Sequence, residues 1–218
     1  NTTPLTFPNA VASGSPYPTR VVASGLAGVL SKVTLELNGF SHQTPDDLDL
    51  MLSGPNSNSL VAFSDVGGFN AVSGLTLVLD STASSALPNA TALASGNFRP
   101  TDFEVGVDTF AAPAPTTSVF SASATSLGTA FNNSNPLGTW TLWTRNDAAG
   151  AQGGGSLAGG WCVNLTTTAP QLTISKTHAT DSTVSACHES THSKPCEGVN
   201  TPNFAPRHIT STGRKTRS

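Results

Sequence analysis

The chain has 218 residues and a net charge of −3, and only 11% of its residues are charged, against about 25% in an average soluble domain. That length holds one ordinary domain with a tail, or one larger all-β domain. The composition excludes an ordinary nucleic-acid binder, which would cluster Lys and Arg among aromatics, and no apolar run approaches the ~20 residues of a membrane-spanning helix. Charge is unevenly divided: residues 1–169 hold 4 Lys/Arg against 10 Asp/Glu, while residues 170–218 hold 6 against 3. Composition thus places a boundary near Ala169-Pro170. The chain starts at Asn1 without Met or a signal segment, which reads as a mature or excised piece. Cys162, Cys187 and Cys196 form no even-numbered framework, so they do not report a redox compartment.

In chain order, residues 1–19 are punctuated by proline and have no period, so they read as an extended lead-in. Strand signals begin with "RVVAS" and continue in "KVTLELNGF", where Val33, Leu35 and Leu37 alternate with Lys32, Thr34 and Glu36. In "PDDLDLMLS", Leu48, Leu50 and Leu52 share one face and Asp47, Asp49 and Met51 the other, because side chains alternate along a strand. "SGPNSNS" is a turn and "LVAFS" the returning strand of a hairpin. "GLTLVLD" alternates again. Residues 81–126 are broken by "ALPNA", "NFRPTD" and "APAPTT"; so long a loop is either functional or conceals short strands. "GTWTLWTRND" and "GGWCVNLTT" restore the pattern. No 11-residue window keeps helical spacing through its glycines and prolines. The expected fold is all-β: two packed antiparallel sheets over residues 20–168.

Three pieces, in order, resemble the P domain of subtilisin-like proprotein convertases and its bacterial P-like form on secreted proteins. "GFSHQTPDDLDLMLSGPNSNSLVAF" is similar to the family's H-T-x-x-x-D-L-x-I-x-L-x-S-P-x-G-T run. "NPLGTWTLWTRNDAAG" is similar to G-x-W-x-L-x-V-x-D, and "GGGSLAGGWCVNLTT" to the closing G-x-L-x-x-W-x-L-x-L strand. The likeness covers about residues 31–166 apart from the long middle. It departs at Gly54, where the family has Ser before Pro55, and at Arg145-Asn146, which precede Asp147. The resemblance implies a jelly-roll-like β-sandwich without catalytic residues, in a protein that is secreted or at the cell surface. Its implied partner is an adjacent catalytic or surface-repeat domain of the same chain. The parent protein in such cases carries serine endopeptidase activity and proteolysis, and the module itself is monomeric. A carbohydrate-binding module of jelly-roll type is the alternative. The residues themselves explain much of the recurrence: Leu48, Leu50, Leu52, Trp140, Leu142, Val163 and Leu165 are expected to point into the core.

Candidate sites follow from side-chain chemistry. Asp46, Asp47, Asp49 and Asp65 are candidate calcium ligands, since calcium takes six to eight oxygens, several from carboxylates. The competing expectation is a solvated strand face, because the glycine and distal glutamate of a helix-loop-helix calcium loop are missing. His42 is the one histidine before residue 178, and no G-x-S-x-G elbow accompanies it; the expectation is a hydrogen-bonded structural histidine. Trp143 faces away from Trp140 and Leu142, so it is a candidate sugar-stacking platform, with Asn146 and Asp147 as hydroxyl partners; the competing expectation puts it under the 81–126 loop. Beyond the body, "APQLTISKTHATD" is similar to the opening strand of a bacterial surface-repeat domain, so residues 169–181 are expected to be a linker with the first strand of a truncated repeat. Residues 182–218 lack periodic apolar positions and are expected to be a disordered tail. Cys187, His188, His192 and Cys196 are soft ligands within that tail, but their spacing fits no ordinary zinc pattern.

Overall fold

The computed structural model describes residues 1–103, 108–147 and 153–168. The expected linker and repeat strand over 169–181, the tail over 182–218 and its Cys/His cluster lie outside the described residues.

Two sheets form. The first contains β1 (Leu5–Phe7), β4 (Val29–His42), β7 (Val72–Asp80), β8 (Gly96–Phe98) and β12 (Gly155–Thr168). The second contains β2 (Ala12–Ser13), β3 (Thr19–Ala23), β5 (Leu48–Ser53), β6 (Ser59–Ser64), β9 (Thr101–Asp102), β10 (Val119–Ser121) and β11 (Gly138–Asn146). A 3-10 turn at Pro45–Asp47 leads into β5, and a short helix α1 spans Leu127–Phe131.

The first sheet runs β1-β12-β4-β7-β8, and the second has β3-β11-β5-β6 at its centre, with β2 sharing the β11 edge and β9 and β10 sharing the β6 edge. Take the eight principal strands β1, β3, β4, β5, β6, β7, β11 and β12 in chain order. One sheet then reads first, eighth, third, sixth, and the other second, seventh, fourth, fifth, which is the wrapped order of a jelly roll. The sandwich is all-β as expected, with one correction. The sheets are mixed rather than antiparallel throughout, because β10 and β9 pair with β6, and β8 with β7, in parallel.

The parallel strands are the ones concealed in the long middle segment. Strands of two or three residues cannot display a period, which is why the sequence shows only breakers there. The lead-in is also corrected: β1 and β2 lie within residues 1–19, each too short to alternate visibly. Helix α1 has five residues, too few for a periodic window, and Ser126 caps it by accepting from Thr129 N.

Alternation places the core. Val33, Leu35, Leu37, Leu48, Leu50, Leu52, Leu77, Leu79, Trp140, Leu142 and Trp161 are buried together between the sheets, with Val163 and Leu165 half-buried against them. Gly54 has its own cause here. A Cβ at Gly54 would sit 2.9 Å from the Phe131 ring, and Phe131 stands edge-on to Trp140 at 5.2 Å. The turn also grips α1, because Asn56 and Asn58 both donate through Nδ2 to the Ala130 carbonyl. Gly160 sits at φ +71° where a side chain would collide with the Asn1 carbonyl, and β12 changes register there against β4.

Candidate functional site

Three connections meet at one end of the sandwich: β4 to β5, β6 to β7 and β11 to β12. His42 ends β4 there. Its ring lies 2% exposed, 6.4 Å from Phe40 in a stacked arrangement and 5.9 Å from Phe7. Nδ1 accepts from Thr44 N at 3.2 Å, which puts the proton of the neutral ring on Nε2, an atom buried without a hydrogen-bond partner. Burial lowers the His42 pKa to about 4 and outweighs a smaller raising contribution from the Thr44 backbone. At neutral pH this imidazole is uncharged and walled in by aromatic rings. Its placement is that of a core histidine that fixes the entry into the next turn.

That turn carries Asp46 and Asp47. Burial raises the pKa of both; the Asp65 charge adds to the effect at Asp46, and the charges of Asp147, Asp46 and Asp65 add to it at Asp47. Asp46, Asp47, Asp65 and Asp147 are therefore one mutually repelling acidic group. Asp147 N donates to the Asp47 carbonyl at 3.0 Å, which is how the β11–β12 connection joins it. Asp65 is held by Ser64 Oγ at 2.8 Å. Asp47 is 7% exposed and its Oδ2 is buried without a hydrogen-bond partner.

The four expected calcium ligands are thus not brought together as a set. Asp49 is 2% exposed on β5 and sits in register opposite Arg145, on the outer face of the second sheet. Its place in the acidic group is taken by Asp147, which sequence reasoning had put beside Trp143. Among the described residues, no three His, Cys, Asp or Glu side chains form a group that could hold a metal ion. As arranged, these carboxylates do not fit a calcium site. The solvated strand face is corrected as well: Asp47 and Asp49 are buried.

The Trp143 trio is likewise separated. Along β11 the side chains alternate, so Trp143 and Arg145 face outward opposite Met51 and Asp49, while Leu142 and Asn146 face the other sheet opposite Leu52 and Leu48. Asn146 is 2% exposed and its Nδ2 donates to the Pro8 carbonyl. Asp147 belongs to the acidic group. Trp143 is only 6% exposed and packs with Met51 and Val61 beneath Tyr17, Phe110, Ala114 and Val119. Its Nε1 donates to Ser53 Oγ at 2.7 Å, and Ser53 shares a 2.6 Å hydrogen bond with Ser59. An exposed stacking platform with two hydroxyl partners is not what these residues make. The alternation along β11 gave the direction of Trp143 correctly, and Phe110, Ala114 and Val119 cover it from the 81–126 segment, as the competing expectation has it; Tyr17 adds a cover from the lead-in that no local pattern reveals.

Among the described residues, no helix is long and apolar enough to cross a membrane. Cys162, the one cysteine among them, is a half-buried free thiol on β12. Compared with family models, with curated proteins and with solved structures, the chain gives no match.

Proposed function

We propose that residues 20–168 act as a non-catalytic accessory module of an exported protein, of the P-like type. Its work is to pack beside and stabilise a subtilisin-like catalytic domain of the same chain, or to serve as a surface module. The observation that carries this reading is where the three resembling pieces fall. They occupy β4 with β5 and β6, then β11, then β12. β4 pairs with β12 at the middle of one sheet, and β5 with β11 at the middle of the other. The shared pattern therefore falls on scaffold strands, and two polar residues within these pieces serve the fold: His42 in the core and Asn146, where the chain departs from the pattern, on the Pro8 carbonyl. A scaffold whose recurring residues are spent on packing suits attachment better than chemistry.

A contact between domains of one chain typically covers about 600–1,500 Å². The test is to read the coding sequence on both sides of this chain, then delete residues 20–168 from the parent protein. The proposal expects a subtilisin-like domain alongside, whose melting temperature falls on deletion. An unchanged melting temperature and unchanged surface display would overturn it. The carbohydrate-binding alternative loses its Trp143 platform, because that ring is covered.

A further inference from the structure

The surface of the sandwich holds a cleft of about 250 Å³. Three connections frame it: the one leaving β7, the one between β8 and β9, and the one between β10 and α1. Ser81, Arg99, Pro100, Ser123, Thr125 and Ser126 contribute to its walls, and no acidic residue does. Arg99 is one of only 4 Lys/Arg in residues 1–169. Of the other three, Lys32 is bonded to Asp80 at 2.7 Å, Arg145 lies opposite Asp49, and Arg20 is exposed on β3, outside the cleft.

Arg99 is anchored without being neutralised. Nη1 donates to the Ala83 carbonyl at 3.0 Å and the Ser84 carbonyl at 2.7 Å, and Arg99 N donates to the Ser85 carbonyl at 2.7 Å. A guanidinium has five N–H donors, so three remain, on Nε and Nη2. They meet no hydrogen-bond acceptor or salt-bridge partner among the described residues. That edge of the fork is the one that grips a carboxylate with two parallel bonds. Four hydroxyls stand around the same cleft, and several are preset. Ser81 Oγ accepts from Leu127 N at 2.9 Å, Ser123 Oγ is paired with Ser121 Oγ, and Ser126 Oγ accepts from Thr129 N. Each keeps capacity to donate or accept toward the cleft.

We infer that this cleft binds an acidic sugar, a uronate unit whose carboxylate pairs with Arg99 and whose ring hydroxyls pair with Ser81, Ser123, Thr125 and Ser126. Size agrees. The volume is below the ~300–1,000 Å³ of sites for drug-sized ligands, and it holds about eight waters at ~30 Å³ each, the scale of one sugar ring. An acidic peptide side chain would use the guanidinium but leave the ring of hydroxyls idle. The assignment does not depend on attachment to a catalytic domain.

The test is titration of the whole chain with oligogalacturonate, with uncharged galacto-oligosaccharide and with a short glutamate-containing peptide, followed by amide NMR shifts. The expected result is a saturable shift at Arg99 and residues 122–126 with oligogalacturonate, absent with the uncharged sugar, and weakened by salt. Arg99→Gln should reduce affinity by more than about tenfold and Thr125→Val by about three- to tenfold, the loss of one neutral hydrogen bond. Thr125→Val leaves the Arg99 anchors intact, so it reads the site even if Arg99→Gln disturbs the loop. Absence of a shift at these residues, or affinity unchanged in both variants, would overturn the inference. Equal binding of the glutamate peptide would reassign the cleft to protein carboxylates and overturn the sugar assignment.

Discussion

Tyr17 stands edge-on against Trp143, ring centroids 5.7 Å apart and planes inclined at 66°, while its hydroxyl donates to the Ala111 carbonyl at 2.6 Å. One side chain from the lead-in thus covers the outer face of the second sheet and pins the segment that also brings Phe110 and Ala114. The sandwich has a second, smaller apolar layer outside its main core.

The first prediction concerns that layer. Trp143→Ala should destabilise the body by about 3 kcal/mol, the lower range for removing a buried aromatic, read from urea unfolding. Tyr17→Phe should cost about 1 kcal/mol, one hydrogen bond, and speed protease cleavage within residues 108–118. A Trp143→Ala variant as stable as the parent would mean the ring is not buried.

A second prediction concerns acid. The His42 pKa falls from 6.5 unfolded to about 4 folded, so the folded state favours the neutral ring. Its contribution is fully present above pH 6.5 and is lost as pH falls toward 4, on the order of 3 kcal/mol by linkage. His42→Phe should be less stable at pH 7, since Thr44 N loses its acceptor, yet show a flatter stability profile between pH 6.5 and 4. An equal slope in the two proteins would contradict the burial of the ring.

The acidic end acts in the opposite sense. Asp46 and Asp47 have raised folded pKa values, so their ionisation opposes folding as pH rises through those values. Asp47→Asn should raise the melting temperature at pH 7 by about 2–4 °C, the shift ~1 kcal/mol makes in a domain of this size. The gain should fade toward the acid range, where Asp47 is already protonated. Millimolar calcium should leave the melting temperature nearly unchanged, whereas a site with a dissociation constant one-hundredth of the free calcium would add about 2.7 kcal/mol. A large calcium effect abolished by Asp47→Asn would mean the carboxylates converge on a metal after all.

What the sequence revealed, and what it hid, follows from the range of each signal. Leu48, Leu50 and Leu52 announced an inward face because alternation is local, and the structure buries all three. The same alternation put Asp49 and Met51 on the other face, and cover of Trp143 by the segment that holds Phe110 was one of two expectations; the cover by Tyr17 was not legible, because that residue lies far along the chain. Asp147 was legible as a carboxylate but not as a neighbour of Asp47, because their meeting depends on two connections of different strands ending at one end of the sandwich. Arg99 drew no attention at all. Its setting is made by carbonyls of residues 83–85 and hydroxyls beyond residue 121, and "NFRPTD" reads only as a break. The strands from β3 to β7, with β11 and β12, alternate visibly and were readable, whereas β1, the first strand of the eight-strand wrapping, has only three residues and shows no period.

The central claim is that the polar residues of this body serve packing rather than turnover, and a hydrolysis screen of the purified chain tests it most directly. Peptide and glycoside substrates should be incubated with the wild type and with His42→Phe, each checked for folding by its unfolding transition. The account predicts turnover no faster than in buffer for both proteins. Hydrolysis that co-purifies with the folded wild type and disappears in a folded His42→Phe variant would contradict it.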